Sequence, residues 1–201
     1  MFVTHLVGLF TRPDAEWSAI AASRHSLIGV LAGHVVPLAL IPTFAWYYGV
    51  TQVGWTLPGR ELVYRMTPDS TVLIIGLFFW AMVIGTAGLG FMVHWMSRTY
   101  GSSASLANAM ALAAYTNTPL FLAGIVGLRP ALWTDLVIGT VAACYAVYLL
   151  YLGIPHMMQV PKERGYLFAS AALAVALVMF IGLMGSTVML WELGAMPVFT
   201  D

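Results

Sequence analysis

Five runs of apolar residues, each long enough to cross a bilayer as a helix, set the plan of this chain. They occupy residues 27–49, 71–96, 104–128, 131–152 and 167–190. A helix rises about 1.5 Å per residue, so about 20 residues cross a hydrocarbon core of roughly 30 Å. The pattern predicts an all-α, polytopic membrane domain over residues 27–192. An N-terminal cytoplasmic or interfacial segment, 1–26, precedes it, and a short extracytoplasmic tail, 193–201, follows.

Polar positions punctuate these runs. Thr11-Arg12-Pro13-Asp14-Ala15-Glu16-Trp17 reads as a helix start. Thr11 can cap, Pro13 suits the first turn, and Asp14 and Glu16 complement the positive end of the helix dipole. With Trp17 and Ile20 on one face, a short helix lying in the membrane interface is expected. Met1–Phe10 holds no Lys or Arg, so the segment does not read as a cleaved signal peptide. In the first run, His34, Pro37 and Pro42 predict a kinked span, with Trp46, Tyr47 and Tyr48 as an aromatic belt at its end. In the third, Pro119 lacks a backbone donor, which predicts a kink or unwound turn at Tyr115–Pro119.

Small residues suggest where helices meet. In lipid, apolar surface alone does not drive association, and small side chains let backbones approach. Gly85 and Gly88 in the second run, and the pairs Ala172/Ala176 and Gly182/Ser186 in the fifth, are the helix-packing positions expected on this basis.

Composition sharpens the picture. Of 201 residues, 8% are charged and 61% hydrophobic, the mean hydropathy is +0.89, and the net charge is zero. Such a chain lacks the polar skin of a soluble globule. It has no basic cluster, so nucleic-acid binding is excluded. The sixteen charges are sorted. With five spans, Arg12, Arg24, Arg98, Lys162 and Arg164 fall on one side, and Arg60, Arg65 and Arg129 on the other. Acidic residues lean oppositely: Asp14, Glu16 and Glu163 against Glu61, Asp69, Asp135, Glu192 and Asp201. The basic excess places the N-terminus in the cytoplasm and, with an odd number of spans, the C-terminus outside.

Candidate chemistry is sparse. No nucleophile elbow, phosphate loop, dinucleotide fingerprint or zinc-protease motif is present, so no catalytic or cofactor-binding residue is assigned. His34, His94 and His156 fall in the cytoplasmic half and are the candidates for a metal, alongside the plainer reading of interfacial or carbonyl-bonded histidines. Asn108, Tyr115, Thr116, Asn117, Thr118 and Pro119 form the most polar intramembrane group. They read either as a ligand path through a broken helix or as groups that re-satisfy the backbone freed by Pro119. Asp135 reads as a partner of the helix dipole, and Tyr145, Tyr148 and Tyr151 as a packing and anchoring stripe. Cys144, the single cysteine, reads as a small buried hydrophobe.

At the third and fourth runs the sequence resembles a known family. Tyr100-Gly101-Ser102-Ser103 leads into Ala114-Tyr115-Thr116-Asn117-Thr118-Pro119-Leu120, then Leu128-Arg129-Pro130. Tyr145-Ala146-Val147-Tyr148-Leu149-Leu150-Tyr151-Leu152-Gly153-Ile154-Pro155 and Val160-Pro161-Lys162-Glu163-Arg164-Gly165-Tyr166 follow. With the opening Leu9-Phe10-Thr11-Arg12-Pro13, these resemble the Yip family of Ypt- or Rab-interacting membrane proteins, in a compact bacterial form. The resemblance implies five spans, a cytoplasmic N-terminus and no catalytic residues. Eukaryotic relatives act in vesicle traffic with small GTPases, with each other and with membrane-shaping proteins, through a long N-terminal region. Residues 1–26 are far shorter, and the Asp-Leu-Tyr-Gly-Pro type of motif is absent, which argues against GTPase binding. Arg164-Gly165 stands where a lysine-like residue and alanine are expected.

The combined expectation is a non-catalytic scaffold, membrane-organising or trafficking-like protein of a bacterial inner membrane. Its partners would be the lipid bilayer and other membrane proteins, or further copies of itself. The alternative is a small transporter or channel for a metal ion or proton-linked solute, using His34, His94, Asn108 and Asn117.

Overall fold

A computed structural model describes residues 2–56, 59 and 62–200. Arg60, Glu61 and Asp201, counted in the charge balance above, lie outside the described residues. Two short helices, α1 (Phe2–Thr11) and α2 (Pro13–Ala22), form an N-terminal hairpin. Five helices long and apolar enough to span a membrane follow: α3 (Leu27–Val53), α4 (Pro68–Tyr100), α5 (Leu106–Leu128), α6 (Leu132–Met158) and α7 (Lys162–Glu192). Each exceeds or closely matches its apolar run, because helical hydrogen bonding continues into the polar flanks. The fifth begins at Lys162 rather than 167, and the fourth runs through Pro155 to Met158, where Gln159 ends it with a φ of +53°.

The third span is the hub. In its most apolar stretch 61% of residues are buried inside the protein, against 17–33% for the other four spans. Ala109, Met110, Ala111, Leu112, Ala113 and Ala114 are all buried, so over this stretch every face of α5 meets protein. Alanine permits that, because a thin helix can be approached from all sides. At Gly90 of α4, an added Cβ would sit 2.9 Å from the Cα of Met110, so the two backbones nearly touch. The helix ends at Thr116, turns at Asn117 and resumes at Thr118, with Pro119 in its first turn. This is the break expected from Pro119. The prolines of α3 act differently. Leu31–Val35, just ahead of Pro37, forms wide π-type turns, and the helix then continues through Pro42.

The N-terminal segment is a docked pair of helices rather than a single one. Leu9, Trp17 and Ile20 are fully buried against the bundle. Thr11 does not cap α2; it is the last residue of α1, and its hydroxyl donates back to the Val7 carbonyl at 2.9 Å. Pro13 opens α2, and Asp14 and Glu16 lie in its first turn as expected. Beside the hairpin, the connections after α4 and α6 meet: Ser102 Oγ donates to the Met158 carbonyl at 2.5 Å, and Tyr100 stacks on Phe168 at 4.6 Å. At the far end, β1 (Trp55–Thr56) pairs antiparallel with β2 (Val63–Tyr64). The C-terminal tail joins them, with Met66 bridged to Phe199 and Phe199 edge-on to Trp55 and Tyr64.

Other expectations are corrected. Cys144 is exposed on α6 rather than buried. Trp46 turns inward onto Gly127 instead of lying in an outer belt. Gly85 and Gly88 do face α7, with the side chains of Leu183 and Met179 over them, and Ala172 is buried. Gly182 has no atom within 4 Å of an added Cβ, and the Ser186 hydroxyl turns back to the Leu183 carbonyl at 2.8 Å. The C-terminal half of α7 is thus largely unpacked. The Arg164-Gly165 departure has a local cause: a Cβ at Gly165 would meet the Pro155 ring at 2.8 Å.

Candidate functional site

The break in α5 gathers the intramembrane polar groups into a seam. Thr118, fully buried, lies within 2.9 Å of His34 Nε2, tying α5 to α3. Its hydroxyl also lies 3.3 Å from the Ala114 carbonyl one turn back. One hydroxyl proton serves only one acceptor, so when Thr118 donates to Ala114, His34 donates to Thr118 from Nε2. On the other side of the helix, Asn117 Nδ2 donates to Thr86 Oγ1 at 3.0 Å, tying α5 to α4. Thr118 thus gives the backbone at the break a side-chain partner, and with Asn117 it joins three spans.

From this seam a stack of rings reaches the hairpin. The His34 ring lies 4.2 Å from that of Tyr115. Tyr115 meets His5 edge-on at 6.0 Å and Trp17 edge-on at 6.4 Å. His5 Nδ1 is paired with Glu16 across the α1–α2 turn, and the Glu16 carboxylate folds over Gly8. Tyr145 fixes the same hairpin from α6, donating to the Leu9 carbonyl at 2.7 Å and stacking on Phe10 at 5.3 Å. Tyr151 bonds Ser170 at 2.8 Å, joining α6 to α7. The tyrosine stripe is therefore a packing and anchoring element.

The histidines do not converge. Among the described residues, no group of three or more His, Cys, Asp or Glu is close enough to hold a metal ion. His156 bonds the Leu152 carbonyl at 2.9 Å and lies 3.6 Å from Asp14. His94 lies half-buried near the end of α4, and its Nδ1 has no hydrogen-bond partner among the described residues. Asn108 sits in the first turn of α5, roughly 12 Å along the axis from Thr116. It stands apart from the seam, because helical rise separates what the sequence lists together. Sequence reading missed His5, Glu16, Trp17 and Gly153 as parts of one joint. The available signal was Pro13, which forces two short helices to fold back.

The seam makes a measurable prediction. A double-mutant cycle with Asn117→Ala and Thr86→Val, unfolded by SDS in mixed micelles, will give a coupling of about 0.6 kcal/mol and not above ~1.7, the range of interhelical hydrogen bonds in lipid.

Four apolar helices around a buried fifth, with polar groups used as interhelical joints, define a polytopic α-helical membrane protein. Within that class the family is clear. The Yip1 domain model matches residues 7–184, and the chain belongs to this family. It is 37% identical over 192 residues to inner membrane protein YohC of Escherichia coli strain K12, spanning 96% of this chain and 98% of that protein. The same identity and coverage hold for YohC of Escherichia coli O6:H1. No solved structure matches the chain.

Proposed function

We propose that this protein is a non-catalytic, membrane-organising member of the Yip family, seated in a bacterial inner membrane with its N-terminus in the cytoplasm. The observation that carries this reading is the use of the polar intramembrane side chains. His34 is bonded to Thr118, and Asn117 to Thr86, so each closes a joint between helices. A transporter for ions or protons needs such groups turned to a shared water path. The cytoplasmic placement is supported by the gathering of the hairpin with the basic connections at Arg98 and Lys162–Arg164, and by the name of the E. coli relatives for the membrane concerned. The largely unpacked C-terminal half of α7, with Gly182 and Ser186 on it, is where a second copy or another membrane protein would pack.

Purified protein in liposomes tests the reading. Proton and divalent-cation flux will equal that of protein-free vesicles. Flux above that level, removed by His34→Phe, would establish the transporter instead. Cross-linking between Cys residues placed at Gly182 in native membranes is expected to trap a specific neighbour. Uniform, concentration-driven cross-linking at that position and at a lipid-facing control alike would count against the organising role.

A further inference from the structure

A cavity of about 570 Å³ lies between α4, α5, α6 and α7, with Pro42 and Trp46 of α3 also lining it. That volume falls within the range of ligand pockets, roughly 300–1,000 Å³. Along α6 it runs from Asp135 to Leu150, roughly 22 Å of helix. One leaflet of a bilayer core is roughly 15 Å deep, so the cavity is long enough to take an extended hydrocarbon chain. Its mouth faces lipid: Leu177 and Phe180, both more than half exposed, line it.

The walls are apolar, with two exceptions that lack partners. Thr116 is 4% exposed, and its Oγ1 has no hydrogen-bond partner among the described residues. Asp135 lies at the end nearest the α5–α6 connection. Its Oδ2 accepts from the Ala131 backbone N–H at 3.0 Å, while Oδ1 is buried without a partner among the described residues. A buried acceptor left unmade is costly, and a carboxylate oxygen accepts only from a donor. Thr86 and Asn117 already satisfy one another.

We propose that this cavity seats one membrane lipid, its acyl chain along α6 and an ammonium headgroup donating to Asp135. The apolar walls select a hydrocarbon chain. The carboxylate at one end selects a cationic donor, an ammonium, over the neutral hydroxyl donors of an anionic head. A largely apolar lining favours hydrocarbon over water, and the bilayer supplies lipid at its mouth. The site is defined by the cavity and stands apart from the organising role.

The test uses the whole protein in nanodiscs containing equal phosphatidylethanolamine and phosphatidylglycerol of matched chains, followed by native mass spectrometry in mild detergent. The wild type is expected to retain one phosphatidylethanolamine per chain, with a preference of about tenfold, the worth of one charge-assisted hydrogen bond. Asp135→Asn keeps an oxygen for Ala131 but presents a donor to the headgroup, and will lose the preference while still retaining a chain. Ala143→Phe and Gly139→Leu fill the cavity and will lose retention altogether. Ala143 is exposed and Gly139 has open space around an added Cβ, so both variants are expected to fold, which an unshifted SDS midpoint checks. Equal retention of both lipids by the wild type, unchanged in Asp135→Asn, overturns the headgroup assignment. Retention untouched by the filling variants shows annular lipid only and overturns the site. A lipid-free dimer that the filling variants dissociate makes a second copy the occupant and overturns it as well.

Discussion

Gly49→Ala, a change of one methyl group, will lower the stability of the folded bundle by at least about 1–3 kcal/mol, the cost of overpacking a close-packed interior. An added Cβ at this position would stand 1.7 Å from the Gly127 carbonyl oxygen and 2.9 Å from the Pro130 ring. The obstructing atom is backbone, so no side-chain rotation relieves the clash, and α3 must part from the end of α5. Gly124 and Gly127 repeat the logic from the other side. Their added Cβ atoms would meet Pro42 Cβ at 2.3 Å and the Trp46 ring at 2.6 Å. The three glycines form one seam, and a variant at any of them opens it. Gly182→Ala and Gly139→Ala are the controls. Neither has an atom within 4 Å of the new methyl, and alanine is the better helix former. SDS-driven unfolding in mixed micelles, followed by circular dichroism, will show Gly49→Ala shifted strongly to lower SDS and the controls unshifted or shifted upward. A Gly49→Ala protein as stable as the controls would remove this seam from the account of the fold.

That contrast also marks what the sequence could disclose. Span number was legible because the bilayer fixes a length and hydropathy a threshold, and five runs satisfied both. The break in α5 was legible because Pro119, which lacks a donor, follows the polar run Tyr115–Thr118, whereas Pro42 and Pro155 follow apolar residues and their helices continue. Packing partners were not legible. Gly182 and Gly49 look alike in sequence, yet one faces open space and the other a carbonyl. Spacing of small residues gives a face, not what lies opposite it. The third span, dense in alanine and the most polar of the five, carried the strongest sign of a central helix. Its six consecutive buried residues follow from thinness on every side rather than from a stripe. The polar seam was half legible. Tyr115 to Pro119 were singled out by their chemistry. His34 as partner of Thr118, 84 positions away, is set by how α3 crosses α5. His5 and Glu16 sit among residues that read as a surface helix, and only the docking of the hairpin brings them beside Tyr115.

The hairpin yields the second large effect, and it will be local. Trp17 is fully buried, with its ring edge over Gly153 and against Tyr115, and the indole Nε1 has no hydrogen-bond partner among the described residues. Truncating a buried tryptophan costs about 3–5 kcal/mol. Docking of a terminal hairpin is a sub-global equilibrium, so Trp17→Ala will release α1–α2 while α3–α7 stay assembled. Cys introduced at Leu9, a fully buried position, reports it: maleimide labelling will be slow in the parent and fast with Trp17→Ala. Trp17→Phe will label slowly, because the lost Nε1 made no bond and the apolar ring remains. Gly153→Val attacks the same joint from α6. Its new Cβ would stand 2.7 Å from two Trp17 ring atoms and from Leu112 Cδ1. It too will expose Leu9→Cys, with some added loss of bundle stability through Leu112. The His5–Glu16 pair lies within the hairpin and survives release, whereas the bond from Tyr145 to the Leu9 carbonyl does not. Fast labelling in Trp17→Ala together with an unshifted SDS midpoint separates undocking from unfolding. A midpoint that falls in step with labelling would show that the hairpin is part of one cooperative core, and that the bundle needs its N-terminal cap to fold.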